Sequence, residues 1–210
     1  MTEFEQAGAP GIQGSHWGAG GNGARGSDSF VRMIEAMRLV QDRITAAAAP
    51  EQVVEEAARE LEGLARALEP FTVPEREQIA GRCLDLPGRG QTMAPAFHVD
   101  EWDDKHATGR FTLGRFYLGG GGAAHGGVVP LMFDEVLGRL ANTGRPLSRT
   151  AYLNVNFRKI TPIGAELRLH AQFAREEGRK RFLTAAVYDG AGDVTADAEG
   201  LFVQLRPGQP

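Results

Sequence analysis

Two groups of residues in one short stretch have types and spacing suited to joint chemistry: His125-Gly126-Gly127, and the adjacent acids Asp134 and Glu135. The segment 128–140 that joins them is apolar nearly all round, through Val128, Val129, Leu131, Met132, Phe133, Val136, Leu137 and Leu140. A helix without a polar face is a buried helix, and Pro130 suits its first turn. A carboxylate on such a helix is costly unless it is paired or used in chemistry. The helix neighbours of Asp134 one turn away, Pro130, Leu131, Leu137 and Gly138, offer no partner. Glu135 can reach an edge or pair with Arg139 at i+4. Chemistry therefore falls to Asp134 and structure to Glu135. At the helix start the backbone N–H groups lack partners and carry partial positive charge. Glycines there admit a ligand to those N–H groups, which reads as an oxyanion site. The same glycines also read as a tight turn requiring positive φ, and spacing does not choose between the two.

Gly127 and Asp134 are seven residues apart, about 10 Å along a helix axis. An ester or thioester carbonyl needs its oxyanion donor and its base each about 3 Å away. One chain is poorly arranged to serve one carbonyl with both groups. Two antiparallel central helices related by a two-fold axis would place Gly127 of one chain beside Asp134 of the other, so the site is expected at a homodimer interface.

Several elements must position these groups. Sheet texture follows in 109–118, 151–158, 165–173, 181–189 and 194–205, the third alternating Ala165, Leu167, Leu169, Ala171 and Phe173 with Glu166, Arg168, His170 and Gln172. Turns at Glu177-Gly178 and Asp189-Gly190 join the later strands. The expected order is a strand, the central helix, then a meander of four long antiparallel strands. One buried helix and one sheet predict an α+β domain over 85–210, the sheet wrapped around the helix. Within it, 85–108 reads as loop with at most one short strand. Residues 28–84 read as a helical extension. Asp28 or Ser29 caps a first helix with Phe30, Met33, Ile34, Met37, Val40 and Ile44 on one stripe. Pro50 opens a second, striped by Val53, Val54, Ala57, Leu61, Leu64, Ala65 and Leu68. The pair reads as a helical hairpin serving packing and assembly, with a lid or regulatory arm as the other reading. Residues 1–27 form a glycine-rich tail expected to be flexible. Its formal G-x-G-x-x-G at Gly18, Gly20 and Gly23 follows no strand and is attributed to low complexity.

Composition excludes several classes. A formal net charge of −4 offers no basic field for nucleic acid, and neither N-terminal helix concentrates basic residues. No apolar run approaches the ~20 residues of a membrane span. A single cysteine, Cys83, excludes an intrachain disulfide framework and suits a cytoplasmic protein; it is expected to be small and buried. His16, His98, His106 and His170 lack metal-ligand spacing, so no metal is predicted, and His170 is expected to be exposed.

From about Gly109 to Leu205 the chain resembles the hotdog-fold acyl-CoA thioesterases, particularly the branch holding the phenylacetate-pathway and carboxyl-terminal modulator-like thioesterases. The residues that carry the resemblance are H-G-G-x6-D from His125 to Asp134, D-E-V-L-G, T-A-Y-L-N-V-N-F from Thr150, K-I-T-P-I-G from Lys159, E-G-R-K and A-E-G-L-F. The resemblance implies a hotdog fold and hydrolysis of acyl-CoA by a homodimer or a dimer of dimers, with coenzyme A entering only as part of the substrate and no cofactor. It implies Asp134 as general base or nucleophile. It implies that Gly127 donates its N–H to the thioester oxygen while His125 and Gly126 shape that turn. Thr150 matches a threonine that helps hold the lytic water; read locally, it is a strand-start hydroxyl satisfying a backbone group. Gly119 stands where some members carry asparagine. Arg158, Lys159, Arg179, Lys180 and Arg181 lie at strand ends, where one or two suit the phosphates of coenzyme A, although solvated hairpin charge explains each singly. Two other readings stay open: a non-catalytic acyl-CoA-binding regulatory module, and a hydratase, which would want a paired acid and histidine.

Overall fold

The computed structural model describes residues 26–209; the tail carrying Gly18, Gly20, Gly23 and His16 lies outside the described residues. The first helix, α1, spans Asp28–Ala46. Its cap is Ser27, one residue earlier than expected, whose Oγ accepts the N–H of Phe30 at 3.2 Å. The second, α2, spans Glu51–Leu68 and follows Pro50, whose carbonyl accepts from Val53 and Val54. Neither helix contributes a buried residue. The stripe of α2 does not close on α1 as a hairpin would require: Val53, Val54, Leu64 and Leu68 all remain exposed. Periodicity identifies an apolar face but not what covers it.

Eight strands follow: β1 (His98–Trp102), β2 (His106–Thr112), β3 (Leu118–Gly120), β4 (Ala123–Ala124), β5 (Ser148–Phe157), β6 (Glu166–Glu177), β7 (Lys180–Tyr188) and β8 (Val194–Gln204). The central helix α3, Val128–Asn142, sits between β4 and β5 in the chain. Six strands form one antiparallel sheet in the order β1-β2-β6-β7-β8-β5, and β3 pairs with β4 in a separate small hairpin. The sheet wraps α3 in the hotdog manner. Met132, Phe133, Val136, Leu137 and Leu140 of the helix are buried against Phe111, Leu167, Leu169, Leu183, Val187 and Phe202. The alternation of β6 is as expected, with Leu167, Leu169 and Ala171 buried and Arg168, His170 and Gln172 exposed.

Three expectations need correction. The four long strands are not a simple meander: β6, β7 and β8 are, but β5 pairs with β8 at the sheet edge, and residues 158–165 carry the chain across to β6. A period of two fixes which face a residue occupies and leaves the neighbouring strand open. The segment 85–108, expected to be loop with at most one short strand, contains β1 and also the start of β2. β1 is an edge strand bearing His98, Asp100 and Glu101 outward; charge of this kind protects an edge and conceals it from pattern reading. Finally, β2 stops at Thr112, and a 3-10 turn, Arg115–Tyr117, replaces the expected continuation to 118. Among the described residues no helix is long and apolar enough to cross a membrane.

Candidate functional site

Asp134 lies on α3 between residues that enter the core, Met132 and Phe133 before it and Val136 and Leu137 after it. Its own side chain is half-buried, less enclosed than the apolar helix implied. It also has a partner that no helical neighbour could supply. Thr150 on β5 donates its hydroxyl to Asp134 Oδ1 at 2.7 Å, so the local reading, a hydroxyl spent on a backbone group, does not hold.

The start of β5 is fixed by a buried polar knot. Asn142, at the end of α3, accepts the N–H of Ser148 at 2.7 Å and its hydroxyl at 2.8 Å through Oδ1. Arg181 is fully buried and donates to the carbonyls of Ala141 at 2.9 Å and Pro146 at 2.6 Å. A cation at these C-terminal carbonyls also opposes the negative end of the helix dipole. Arg181 is therefore not available to a phosphate, a correction to the strand-end reading. Its position in register with Phe202, which pairs with Thr150, puts it one strand away from the Asp134 contact.

Glu135 is structural, as expected, but its partner is Arg89 rather than Arg139. The Arg89 guanidinium grips both carboxylate oxygens, with Nη2 to Oε2 at 2.8 Å. Only 22% of the Arg89 side chain and 15% of the Glu135 side chain are exposed. Arg89 adopts φ 59° between two glycines that are also left-handed, Gly88 and Gly90. That G-R-G turn was the sequence signal for an unusual backbone. Arg139 instead lies over the Trp102 ring at 4.4 Å. Burial lowers its guanidinium pKa from the ordinary value, against the opposing charge of Glu135.

The His-Gly-Gly turn is exposed at the mouth of α3. The N–H of His125 donates to Tyr117 O at 2.7 Å, and the N–H of Val128 to His125 O at 3.0 Å. The N–H of Gly127 donates to Nδ1 of its own chain's His125 at 3.0 Å. The N–H of Gly126 has no acceptor among the described residues. Positive φ is not what these glycines supply. Gly127 has φ −81°, and Gly126 is likewise outside the left-handed region. Left-handed backbone occurs earlier, at Gly120, Gly121 and Gly122, where β3 turns into β4. Gly119 has a different reason: a Cβ there would lie 2.9 Å from His125 Cα. An asparagine at this position would require the turn to move.

The four remaining basic residues do not form one cluster. Arg158 pairs with Asp197 and Lys159 with Asp193 at 2.6 Å. Both follow β5 at the end where α3 begins, since Ala124 N–H donates to Thr161 O at 2.8 Å. Arg179 donates to Gln204 O at 2.9 Å and adjoins Lys180 at the opposite end. From Arg181 to Val187 alone, β7 runs about 20 Å. Cys83 is buried, which raises its thiol pKa, and His170 is exposed and stacks on Tyr188 at 4.9 Å. Among the described residues no group of His, Cys, Asp and Glu side chains is placed to hold a metal ion.

Residues 121–196 match the model of the thioesterase superfamily. The chain is 34% identical over 106 residues to acyl-coenzyme A thioesterase THEM4 of Bos taurus, covering 50% of this chain and 44% of that protein. It is 28% identical over 126 residues to acyl-coenzyme A thioesterase THEM5 of Mus musculus, covering 60% and 50%. The chain thus spans about half the length of the curated relatives it matches. A crystal structure of a thioesterase superfamily protein superposes with a TM-score of 0.74 at 27% identity, over 86% of this chain and 94% of that one.

Proposed function

We propose that the chain, whose residues 121–196 match the thioesterase superfamily model, hydrolyses acyl-CoA thioesters to the free acid and coenzyme A. The observation that carries this reading is the Thr150–Asp134 hydrogen bond. It holds a carboxylate on the flank of a helix most of whose apolar side chains are buried in the core. A hydroxyl that donates to Oδ1 keeps lone pairs with which to accept from a water, and the second carboxylate oxygen is left to take that water's proton. As general base, Asp134 removes a proton from water, and the resulting hydroxide oxygen bonds to the thioester carbon. The carbon–sulfur bond then breaks, and the thiolate leaves to take up a proton. As nucleophile, an Asp134 oxygen would bond to the thioester carbon and expel the coenzyme A thiolate, which takes up a proton, and water would then cleave the mixed anhydride to the free acid and the Asp134 carboxylate.

The oxyanion donors come from the partner in this proposal. The rise of α3 separates Gly127 from Asp134 by about 10 Å, and β5 supplies the means of pairing. It is ten residues long and ends the sheet, so one side of its backbone has no strand partner among the described residues. Such an edge is a template for another chain. Two-fold pairing along β5 reverses the strand, bringing the Arg158 and Lys159 end of one chain to the Arg179 and Lys180 end of the other. The basic residues that are split within one chain then flank one composite site, where they can meet the phosphates of coenzyme A. Gly126 offers a ready N–H, and His125 Nδ1 occupies that of Gly127 until an acyl oxygen replaces it.

An acyl-CoA hydrolysis panel comparing the native protein with Asp134→Asn tests the chemistry, with a loss of at least about 100-fold expected. Equal activity in both, or none toward any thioester, refutes it. The dimer is tested by solution mass and by Asn154→Lys/Asn156→Lys on the β5 edge. Full hydrolysis by a folded monomer refutes the shared site.

A further inference from the structure

The apolar stripe of α1 packs only in part: Phe30, Ile34, Met37 and Val40 are half-buried, while Met33 and Ile44 are 37% and 57% exposed and no residue of the helix is fully buried. A polar face adds directed contacts. Arg38 donates to Ala94 O at 3.0 Å and to Gln91 O. One turn later, half-buried Asp42 accepts the N–H of Phe116 at 2.9 Å through Oδ1. This carboxylate sits at the start of the Arg115–Tyr117 turn, and Gly114 makes room for it. A Cβ on Gly114 would lie 2.1 Å from Asp42 Oδ2. Gly114 has φ −76°, which any residue adopts, so the glycine supplies space and not conformation.

The turn that Asp42 holds is the one that carries the His-Gly-Gly segment. Tyr117 O accepts the N–H of His125, and Gly119 packs with no room for a Cβ against His125 Cα. The Tyr117 hydroxyl reaches Thr92 O at 3.5 Å, on the segment that Arg38 grips. α1 therefore clamps Tyr117 from both sides. We propose that Asp42 is a positioning residue for the His125–Gly127 turn, so that the N-terminal helix sets the placement of the oxyanion donors. This rests on the reading above, in which that turn receives the acyl carbonyl.

The core tests are Asp42→Ala, Gly114→Ala, which drives the carboxylate off Phe116 from the other side, and their combination. Amide exchange at Phe116 and His125, and kcat and KM with hexanoyl-CoA as the probe, are the readouts. Exchange at Leu183 and Ala185 of β7 reports whether the fold is intact. Each single variant is expected to lower kcat about tenfold, because misplacing a reacting geometry costs rate, with KM within about twofold and faster exchange at His125. The double variant is expected to match Asp42→Ala, since the collision disappears with the carboxylate. Asp42→Asn, which keeps an acceptor, should recover most of kcat. Native exchange at His125 in both single variants overturns the proposal, as does a double variant whose losses multiply. If the native protein hydrolyses no acyl-CoA, the thioesterase reading falls, while His125 exchange in the same variants still decides whether Asp42 holds the turn.

Discussion

Thr150→Val isolates the contact on which the proposed chemistry depends. Valine keeps the β-branched shape and removes only the hydroxyl that donates to Asp134 at 2.7 Å. A hydrogen bond to a charged group contributes about 1.5–3 kcal/mol. Asp134 is half-buried and Thr150 exposed in the single chain, so the lower part of that range applies, about 1.5–2 kcal/mol. At about 1.36 kcal/mol per decade this is a fall of about 13- to 30-fold in kcat. Thr150 acts through the carboxylate, so KM should stay within about twofold, and Thr150→Ser should lose no more than about threefold. Unfolding free energy should fall by no more than about 2 kcal/mol, the worth of the same bond to the fold. The assay follows release of the coenzyme A thiol with a chromogenic disulfide reagent, in native protein, Thr150→Val, Asp134→Asn and the double variant. In the Asp134→Asn background the threonine change should cost almost nothing more, because its partner charge has gone. Native kcat in Thr150→Val, or an undiminished threonine effect in that background, refutes the coupling.

Four further outcomes follow from the surrounding structure. Glu135→Ala strands the largely buried Arg89 guanidinium and should cost about 2–3 kcal/mol in urea unfolding, below the 3–5 of a fully buried pair; a loss under about 0.5 kcal/mol contradicts the pairing. Arg89→Gly should be more stable than Arg89→Ala by about 1 kcal/mol, because glycine tolerates φ 59°, and equal stability would show that the turn has relaxed. Arg181→Met removes the tie between α3 and β5 and should destabilise by at least about 3 kcal/mol, with Arg181→Lys a poor substitute for a forked donor; native stability in either refutes that role. Asp103 accepts the N–H groups of Lys105 and His106 at 2.7 and 2.6 Å, and these bonds hold its carboxyl below the usual range. A lowered folded value means that the β1–β2 turn gains stability above the unfolded value and loses it as pH falls through the folded one. The amide shifts of Lys105 and His106 should titrate with a midpoint below about 3.9, and a midpoint at or above it removes the argument.

The sequence revealed the parts of this site whose cause is local, and hid those whose cause is distant. The central helix was legible because 128–140 is apolar on every side, and β6 because a strand with one wet face alternates strictly. Asp134 stood out for the same reason: a carboxylate in an apolar segment has to be accounted for. Its partner Thr150 was marked only by the family resemblance and not by the helix pattern, because it belongs to another element and the i+4 rule sees only one. Glu135 shows the limit most clearly. A basic residue stood one turn away at Arg139, yet the carboxylate chose Arg89, 46 residues earlier. Arg181 read as hairpin charge because it follows Arg179 and Lys180 directly, while the odd-numbered face of β7 at that point turns into the core. The pairing of β5 with β8 needed a long connection that no periodicity encodes. Asp42 stands in no pattern that the sequence reading uses, and only the missing Cβ of Gly114 marks the fit between them.

Gly126 brings the argument to a decision. Most glycines in the 119–127 segment have a demand on them from within this chain. Gly120, Gly121 and Gly122 take positive φ. Gly119 has no room for a Cβ, and a Cβ on Gly127 would press the His125 ring at 3.2 Å. Gly126 has neither constraint, because its φ is ordinary and nothing lies within 4 Å of its ideal Cβ position. Gly126→Ala should therefore fold as the native chain does, with stability unchanged or raised by up to about 1 kcal/mol through the unfolded state. If a partner's acyl carbonyl approaches this N–H, the added methyl group lies in its path. Hydrolysis should then fall by about 100-fold, as when an oxyanion donor is lost, while the dimer persists. A Gly126→Ala protein that is stable, dimeric and fully active would mean that the acyl oxygen is held elsewhere, and Gly126 would have no part in the site.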